Sequence, residues 1–220
     1  MKIDLFCPSR ERINKVLTFI CSIITTAKDI NNINLVLGID DDDPKLDHYL
    51  KIAQNLDFIQ VVRYPEGLIE KIGLCGLWNV MAEQTTNEII AMVGDDMKFE
   101  TPDWDEKILK EFSNKEDNFY LIHCNDGMRG PGNKYANVPP LAVNSFIHRD
   151  YVDTVGHYME EVEPNTFGDT YLDKVFELLN RKIYFHDIMI RHMHFSEYGG
   201  KDQVSVNIEK TREGIWDDPA

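Results

Sequence analysis

Four short runs constrain the fold more than anything else in the chain: KIDLFCP (2–8), INLVLGI (33–39), FIQVVRY (58–64) and EIIAMVG (88–94). INLVLGI is nearly continuous in apolar residues, as a parallel strand is when both of its faces are covered. Helical patterns separate the runs. ERINKVLTFICSIITTAKD places Ile13, Val16, Leu17, Ile20, Ile24 and Ala27 on one helical face. LDHYLKIAQNL reads as a second helix, and IGLCGLWNVMAEQTT as a third that bears Leu74, Leu77, Trp78 and Met81. Strands alternating with helices predict an α/β sandwich around a mostly parallel sheet.

The second half continues the pattern. TPDWDEKILKEF opens a helix, with Thr101 expected as its cap, Pro102 at its first position and acids in its first turn. FYLIHC is a further strand, and the Gly/Pro/Asn-rich NDGMRGPGNKYANVPP is a loop before LAVNSFIHRD. A helix around FGDTYLDKVFELLNR and a strand KIYFHDIMIRHMHF complete one domain over residues 1–195, and 196–220 reads as a polar tail or flap.

At 220 residues the chain is long enough for one well-buried core. Its formal net charge of −15 argues against non-specific binding to nucleic-acid backbones, which needs a basic surface. The four cysteines, Cys7, Cys21, Cys75 and Cys124, lack C-x-x-C spacing and read as free thiols of a reducing compartment. MKIDLFCPSRER has no apolar signal core, and VLTFICSIITTA is too short to span a bilayer. No transmembrane segment is expected, and the location expected is cytoplasmic.

Ligands of such sheets gather at the carboxyl ends of the strands. Three of these ends carry polar clusters: Ser9-Arg10, the acids Asp40 to Asp43, and Asp95-Asp96. Ser9-Arg10 is either a helix cap with a surface arginine or a pair near a nucleotide, with the guanidinium free for a base or phosphate. The Asp40–Asp43 run lacks the spacing of a calcium loop. Asp42 and Asp43 read as a solvated turn, whereas Asp40 or Asp41 could accept hydrogen bonds from a nucleobase or ribose.

Asp95-Asp96 ends an apolar strand in two like charges, which something positive or wet must hold. It is either a solvated turn or a metal site, because hard divalent cations take oxygen ligands and a bound diphosphate supplies the rest. His192 and His194 sit two apart on a strand and so project from one face. Histidine favours Mn²⁺ over Mg²⁺. Asp169 sits at a helix N-terminus, where a carboxylate is electrostatically favoured. It is either that or a general base for an acceptor hydroxyl, with Asp173 one turn on as the alternative.

The order CPSRER, GIDDDDP, GLWNVMAEQTTNEIIAMVGDD and FGDTYLDKVFELLNRKIYFHDIMIRHMHF resembles the GT-A glycosyltransferases, in particular the family-2-like group. The resemblance covers roughly residues 2–195 and implies a Rossmann-like three-layer α/β/α sandwich. It implies that GDD stands for the family's D-x-D-type motif, with Gly94 where the first acid would be. Asp96 then maps onto the metal ligand, Asp95 onto the donor-side position, and His192 or His194 onto the late metal-binding histidine. Asp169 maps onto the catalytic base of inverting members. Ser9, Arg10 and Asp40 match nucleotide contacts, and Gly76 and Asn79 match positions packed near the donor.

The activity implied is divalent-metal-dependent transfer of a sugar from a nucleoside-diphosphate sugar, a UDP-sugar first, to a hydroxyl of a saccharide or small molecule. Arg129, Lys134, Lys201 and Arg212 are candidates to steady the leaving group, and the loop 125–140 and the tail are candidate lids. A phage-type transferase acting on a modified DNA base, in a host cytoplasm, is a second reading, which the charge of −15 disfavours. A nucleotidyltransferase would need a glycine-rich first turn, which CPSRER lacks. The remaining alternative is a module that binds a nucleotide sugar or glycan without turnover.

Overall fold

A computed structural model of the protein describes residues 1–130, 132–161 and 168–194. In chain order the elements are β1 (Ile3–Pro8), α1 (Ile13–Thr26), β2 (Ile33–Asp40), α2 (Leu46–Asn55), β3 (Ile59–Tyr64), α3 (Leu68–Glu83), β4 (Ile89–Met92) and β5 (Met97–Phe99). Then follow α4 (Trp104–Ser113), β6 (Leu121–Asn125), β7 (Ser145–His148), α5 (Asp150–Val155), α6 (Gly168–Leu178) and β8 (Lys182–His192). The strands form one sheet in the order β3-β2-β1-β4-β7-β6-β8-β5. β3, β2, β1 and β4 run parallel, β6 and β8 run parallel, and β7 and β5 are antiparallel to their neighbours.

Both faces of the sheet are covered, which explains the unbroken apolar strands. Leu5 and Cys7 of β1, with Leu35, Leu37 and Ile39 of β2, pack under α1, α2 and α4. Phe6 and Val36, one residue out of phase, pack under α3, α5 and α6. The result is the expected three-layer α/β/α sandwich with a mostly parallel sheet.

One charge lies inside the first strand. Asp4 is fully buried. It accepts hydrogen bonds from the Asn34 and Asn87 side-chain amides, both at 2.7 Å, and pairs with Arg149 at 3.3 Å. A buried carboxylate persists only when so compensated.

Two local expectations are corrected. The buried face of α1 is Val16, Phe19, Ile20, Ser22 and Ile23, while Leu17 and Ile24 are exposed. Helix 1 is apolar on most sides, so periodicity alone could not fix its orientation. α4 begins at Trp104 after Asp103 in the left-handed region (φ 58°), so Thr101 is no cap and Pro102 is not its first residue. The Thr101 hydroxyl instead accepts the Met189 backbone N–H at 2.8 Å, joining the turn to β8. The expected acids, Asp105 and Glu106, do occupy the first turn.

α3 is broken at Gly73, whose φ of 66° and ψ of −177° lie outside the helical region. All four cysteines are thiols rather than disulfides, three of them buried and Cys21 exposed. Among the described residues no helix is long and apolar enough to cross a membrane.

Candidate active site

The carboxyl ends of β1, β2 and β4 bring the predicted polar clusters together. Ser9 follows β1, and its backbone N–H donates to the Gly38 carbonyl of β2. Its hydroxyl donates to Asp95 Oδ2 at 2.7 Å. Asp95 Oδ1 takes Arg12 Nη1 at 3.1 Å, and the Asp95 residue is only 3% exposed. Tyr49 braces the cluster from α2: its hydroxyl lies 3.3 Å from Ser9 Oγ and accepts the Arg12 backbone N–H at 3.1 Å.

Asp96 turns the other way. Its Oδ1 lies 3.5 Å from His192 Nε2, and its carbonyl accepts the Met193 N–H at 2.7 Å. The β5–β8 pairing, Met97 opposite His192, delivers the histidine to this spot. The His192 and His194 rings are 5.3 Å apart and edge-to-face, although β8 itself ends at His192.

The two adjacent acids are therefore compensated separately, one by Arg12 and one beside His192. Burial raises the Asp95 carboxyl, Arg12 pulls it back and Asp96 pushes it up, for a net rise. At Asp96 burial also pushes upward, but the His192 contact and the charges of Arg12 and Lys15 outweigh it, and the net shift is downward. Gly94 has a steric reason to be glycine. A Cβ there would stand 2.6 Å from Asp96 Oδ1, so any side chain would displace that carboxylate.

The acid run after β2 divides by partner. Arg10 Nη1 reaches Asp40 at 3.1 Å and Asp42 at 2.6 Å, and Nη2 closes a fork on Asp42 at 2.9 Å. Burial raises the Asp40 carboxyl despite Arg10, whereas hydrogen bonding to Arg10 lowers exposed Asp42. Arg63 holds Asp41 at 2.7 Å. The solvated-turn reading fails for Asp43. It is 4% exposed and accepts the Glu11 N–H at 2.9 Å and the Lys45 N–H at 2.7 Å, tying the β1 and β2 rims together.

Asn79, expected beside the donor, is fully engaged with the segment 158–161. Its Oδ1 accepts the Tyr158 and Met159 N–H groups at 2.9 and 2.7 Å. Its Nδ2 donates to the Met159 carbonyl at 2.9 Å and to Glu161 Oε1 at 2.7 Å. At Gly76 a Cβ would lie 2.6 Å from Ile72 Cβ, so helix packing across the α3 break already requires this glycine.

Asp169 is the second residue of α6, half-buried, and its Oδ1 accepts the Thr170 N–H at 2.7 Å. Asp173 is committed elsewhere, accepting the Ala142 N–H at 2.9 Å and pairing with Lys182 at 2.7 Å. Arg129 pairs with Asp126 at 3.3 Å, and the Lys134 ammonium sits 5.2 Å from the Tyr135 ring centre. Lys201, Arg212 and the tail from 196 lie outside the described residues.

Sequence reading missed Arg12, Tyr49 and Asp126. The Asp126 carbonyl accepts the His192 N–H at 2.9 Å, and its carboxylate caps the Met128 and Arg129 amides at 2.8 and 3.0 Å. A usable signal for Arg12 was the charge pattern itself, since SRER lies one to four residues past a strand whose neighbour runs into GDD. Tyr49 had none, because a tyrosine on a helix reads as core.

No protein-family model matches the chain, and no curated protein does. Solved structures match its fold. S. aureus TarS 1–349 aligns with a TM-score of 0.66 at 14% identity, over 86% of this chain and 59% of that one. In complex with UDP-GlcNAc the same fragment aligns over 100% of this chain and 68% of its own, at 12% identity and a TM-score of 0.66. The mannosyltransferase PcManGT from Pyrobaculum calidifontis, in complex with GDP-Man and Mn²⁺, gives 0.66 at 13% identity over 94% and 68%. The chain thus spans about 59% of the first of these structures. With its parallel sheet, its acid-lined rim and these neighbours, the chain has the GT-A glycosyltransferase fold.

Proposed function

We propose that the chain is a divalent-metal-dependent glycosyltransferase that moves a sugar from a nucleoside-diphosphate sugar to an acceptor hydroxyl. The observation that carries this reading is Asp96 Oδ1 set 3.5 Å from His192 Nε2 at the carboxyl rim of a GT-A sheet. Two cis ligands of an octahedral ion with bonds of about 2.1 Å stand about 3 Å apart, so the two atoms fit one edge of such a shell. Among the described residues no three His, Cys, Asp or Glu side chains converge on one point. The remaining positions then fall to the donor diphosphate and water, with His194 beside them.

The imidazole favours Mn²⁺ over Mg²⁺, and PcManGT, bound to GDP-Man and Mn²⁺, is a neighbour with this fold. Bound there, the ion supplies charge neutralisation of the departing nucleoside diphosphate. The chain's own residues do the rest. Ser9 and Arg12 hold Asp95 in place, Arg10 and Asp40 offer a guanidinium and a carboxylate to the nucleoside, and Asp95 lines the donor side. Asp169 takes the proton of the acceptor hydroxyl, and Asp173, locked on Lys182, serves the fold. A UDP-sugar is the first donor to test, since TarS 1–349 binds UDP and UDP-GlcNAc, and a saccharide or small molecule suits the chain's acidity better than DNA.

Thermal-shift titration with UDP, GDP, UDP-GlcNAc and GDP-mannose, with and without Mn²⁺, tests the reading. A nucleotide that stabilises the wild type only with Mn²⁺, and leaves Asp96→Ala unmoved, supports it. No stabilisation by any of the four, or an equal response in Asp96→Ala, overturns it.

A further inference from the structure

Asn79 and Cys75 lie four residues apart on the unbroken part of α3, and so share one face of that helix. Cys75 faces Gly168, the first residue of α6, and Asn79 faces the segment 158–161. Asn79 saturates its amide on the segment 158–161 with four hydrogen bonds, two of them to the Met159 backbone. The Tyr158 ring, buried to 0%, packs edge-on against Phe6 of β1 at 5.8 Å and fixes the other side of the segment.

Met159 in turn meets the first residue of α6. A Cβ on Gly168 would lie 3.3 Å from Met159 Sδ and 2.9 Å from Cys75 Sγ. The Gly168 backbone amide is also within hydrogen-bonding reach of the Cys75 sulfur. Two sulfurs therefore form a shelf against which only a glycine can sit this closely. The next residue is Asp169. Burial pushes the Cys75 thiol up to about 11, and the Asp169 charge is the largest carboxylate contribution to that rise.

We propose that Asn79 and Cys75 are positioning residues: from one face of α3 they set the start of α6, and with it the direction of the Asp169 carboxylate. This rests on Asp169 being the base that acts on the acceptor. It replaces the donor contact expected of Asn79, whose donors and acceptor are consumed by the 158–161 segment.

Three measurements test it on the whole chain. Hydrogen–deuterium exchange, which needs no substrate, should show faster exchange at 158–161 and 168–172 in Asn79→Ala, with the β1–β4 strands unchanged. Hydrolysis of UDP-GlcNAc or GDP-mannose with Mn²⁺ should lose about tenfold or more in kcat in Asn79→Ala and Gly168→Ala, with donor KM within about twofold of wild type. Removing the sulfur should undo the added methyl, so Cys75→Ala/Gly168→Ala should recover most of the kcat lost by Gly168→Ala alone.

The proposal is overturned if exchange at 168–172 is unchanged in Asn79→Ala. It is equally overturned if UDP affinity falls in step with kcat, which would put Asn79 on the donor, or if the double variant is no better than Gly168→Ala. An Asp169→Asn control separates the two readings. If it keeps wild-type hydrolysis, Asp169 is not the base, while the exchange result still decides whether Asn79 sets the start of α6.

Discussion

Asp95 and Asp96 are adjacent, yet their surroundings give them different work. Asp95 is sealed between Ser9 and Arg12, whereas Asp96 faces His192. Removing one partner of a buried pair strands the other charge. Arg12→Ala should therefore cost about 3 kcal/mol in urea denaturation, and Arg12→Ala/Asp95→Asn should recover most of that loss. Gly94 gives a second residue-scale prediction. Gly94→Ala pushes a methyl to 2.6 Å from Asp96 Oδ1, so Mn²⁺ affinity measured by calorimetry should fall about tenfold or more while Tm moves little. The acids themselves were legible, since a GDD at the end of an apolar strand is conspicuous. The contacts that separate them were not, because Arg12 reaches Asp95 across 83 positions and the β5–β8 pairing brings His192 to Asp96 across 96 positions.

Among the elements, α3 departs most from its sequence pattern. The helix read over IGLCGLWNVMAEQTT starts at Ile72, but α3 begins earlier, at Leu68, and is interrupted at Gly73, whose φ of 66° and ψ of −177° are essentially glycine's alone. Gly73→Ala should thus cost about 1–3 kcal/mol, measured by urea denaturation, even though alanine is the better helix former. A result near zero would mean that the break survives without its glycine. α1 and α4 show the same limit from the other side. Their existence was plain from periodicity, but the buried face of α1 and the first residue of α4 were set by what packs on them. Phe19 and Ile23 face the sheet, and Thr101 bonds to β8 instead of capping α4.

For the whole molecule, acid sensitivity has an identifiable internal source. His123 lies on β6, is 0% exposed and stacks on Tyr184 at 4.9 Å, and neither ring nitrogen has a hydrogen-bond partner among the described residues. Burial, with Lys182 adding to it, holds its pKa down to about 3, against about 6.5 when unfolded. The unfolded chain therefore binds a proton that the folded chain refuses between those values. The stability from this site is complete above about pH 6.5 and is lost as pH falls towards 3. By pH 5 the loss is about 2 kcal/mol. The Tm of His123→Leu should accordingly gain on wild type as pH drops from 7 to 5, and a constant difference would refute the assignment. The sequence by itself determined the layered α/β architecture, because strands covered on both faces must be apolar throughout and helices must show a periodic stripe. It also determined which residues end those strands, and hence the membership of the rim: Ser9, Arg10, Asp40, Asp95 and Asp96. Only the tertiary structure decided how that rim is wired, with Arg12 neutralising Asp95, Asp43 buried as a tie, Asp173 consumed by Lys182 and Asn79 holding 158–161. The physical reason is that burial follows from local periodicity, whereas charge compensation and hydrogen-bond partnership depend on which distant segments the sheet order brings side by side.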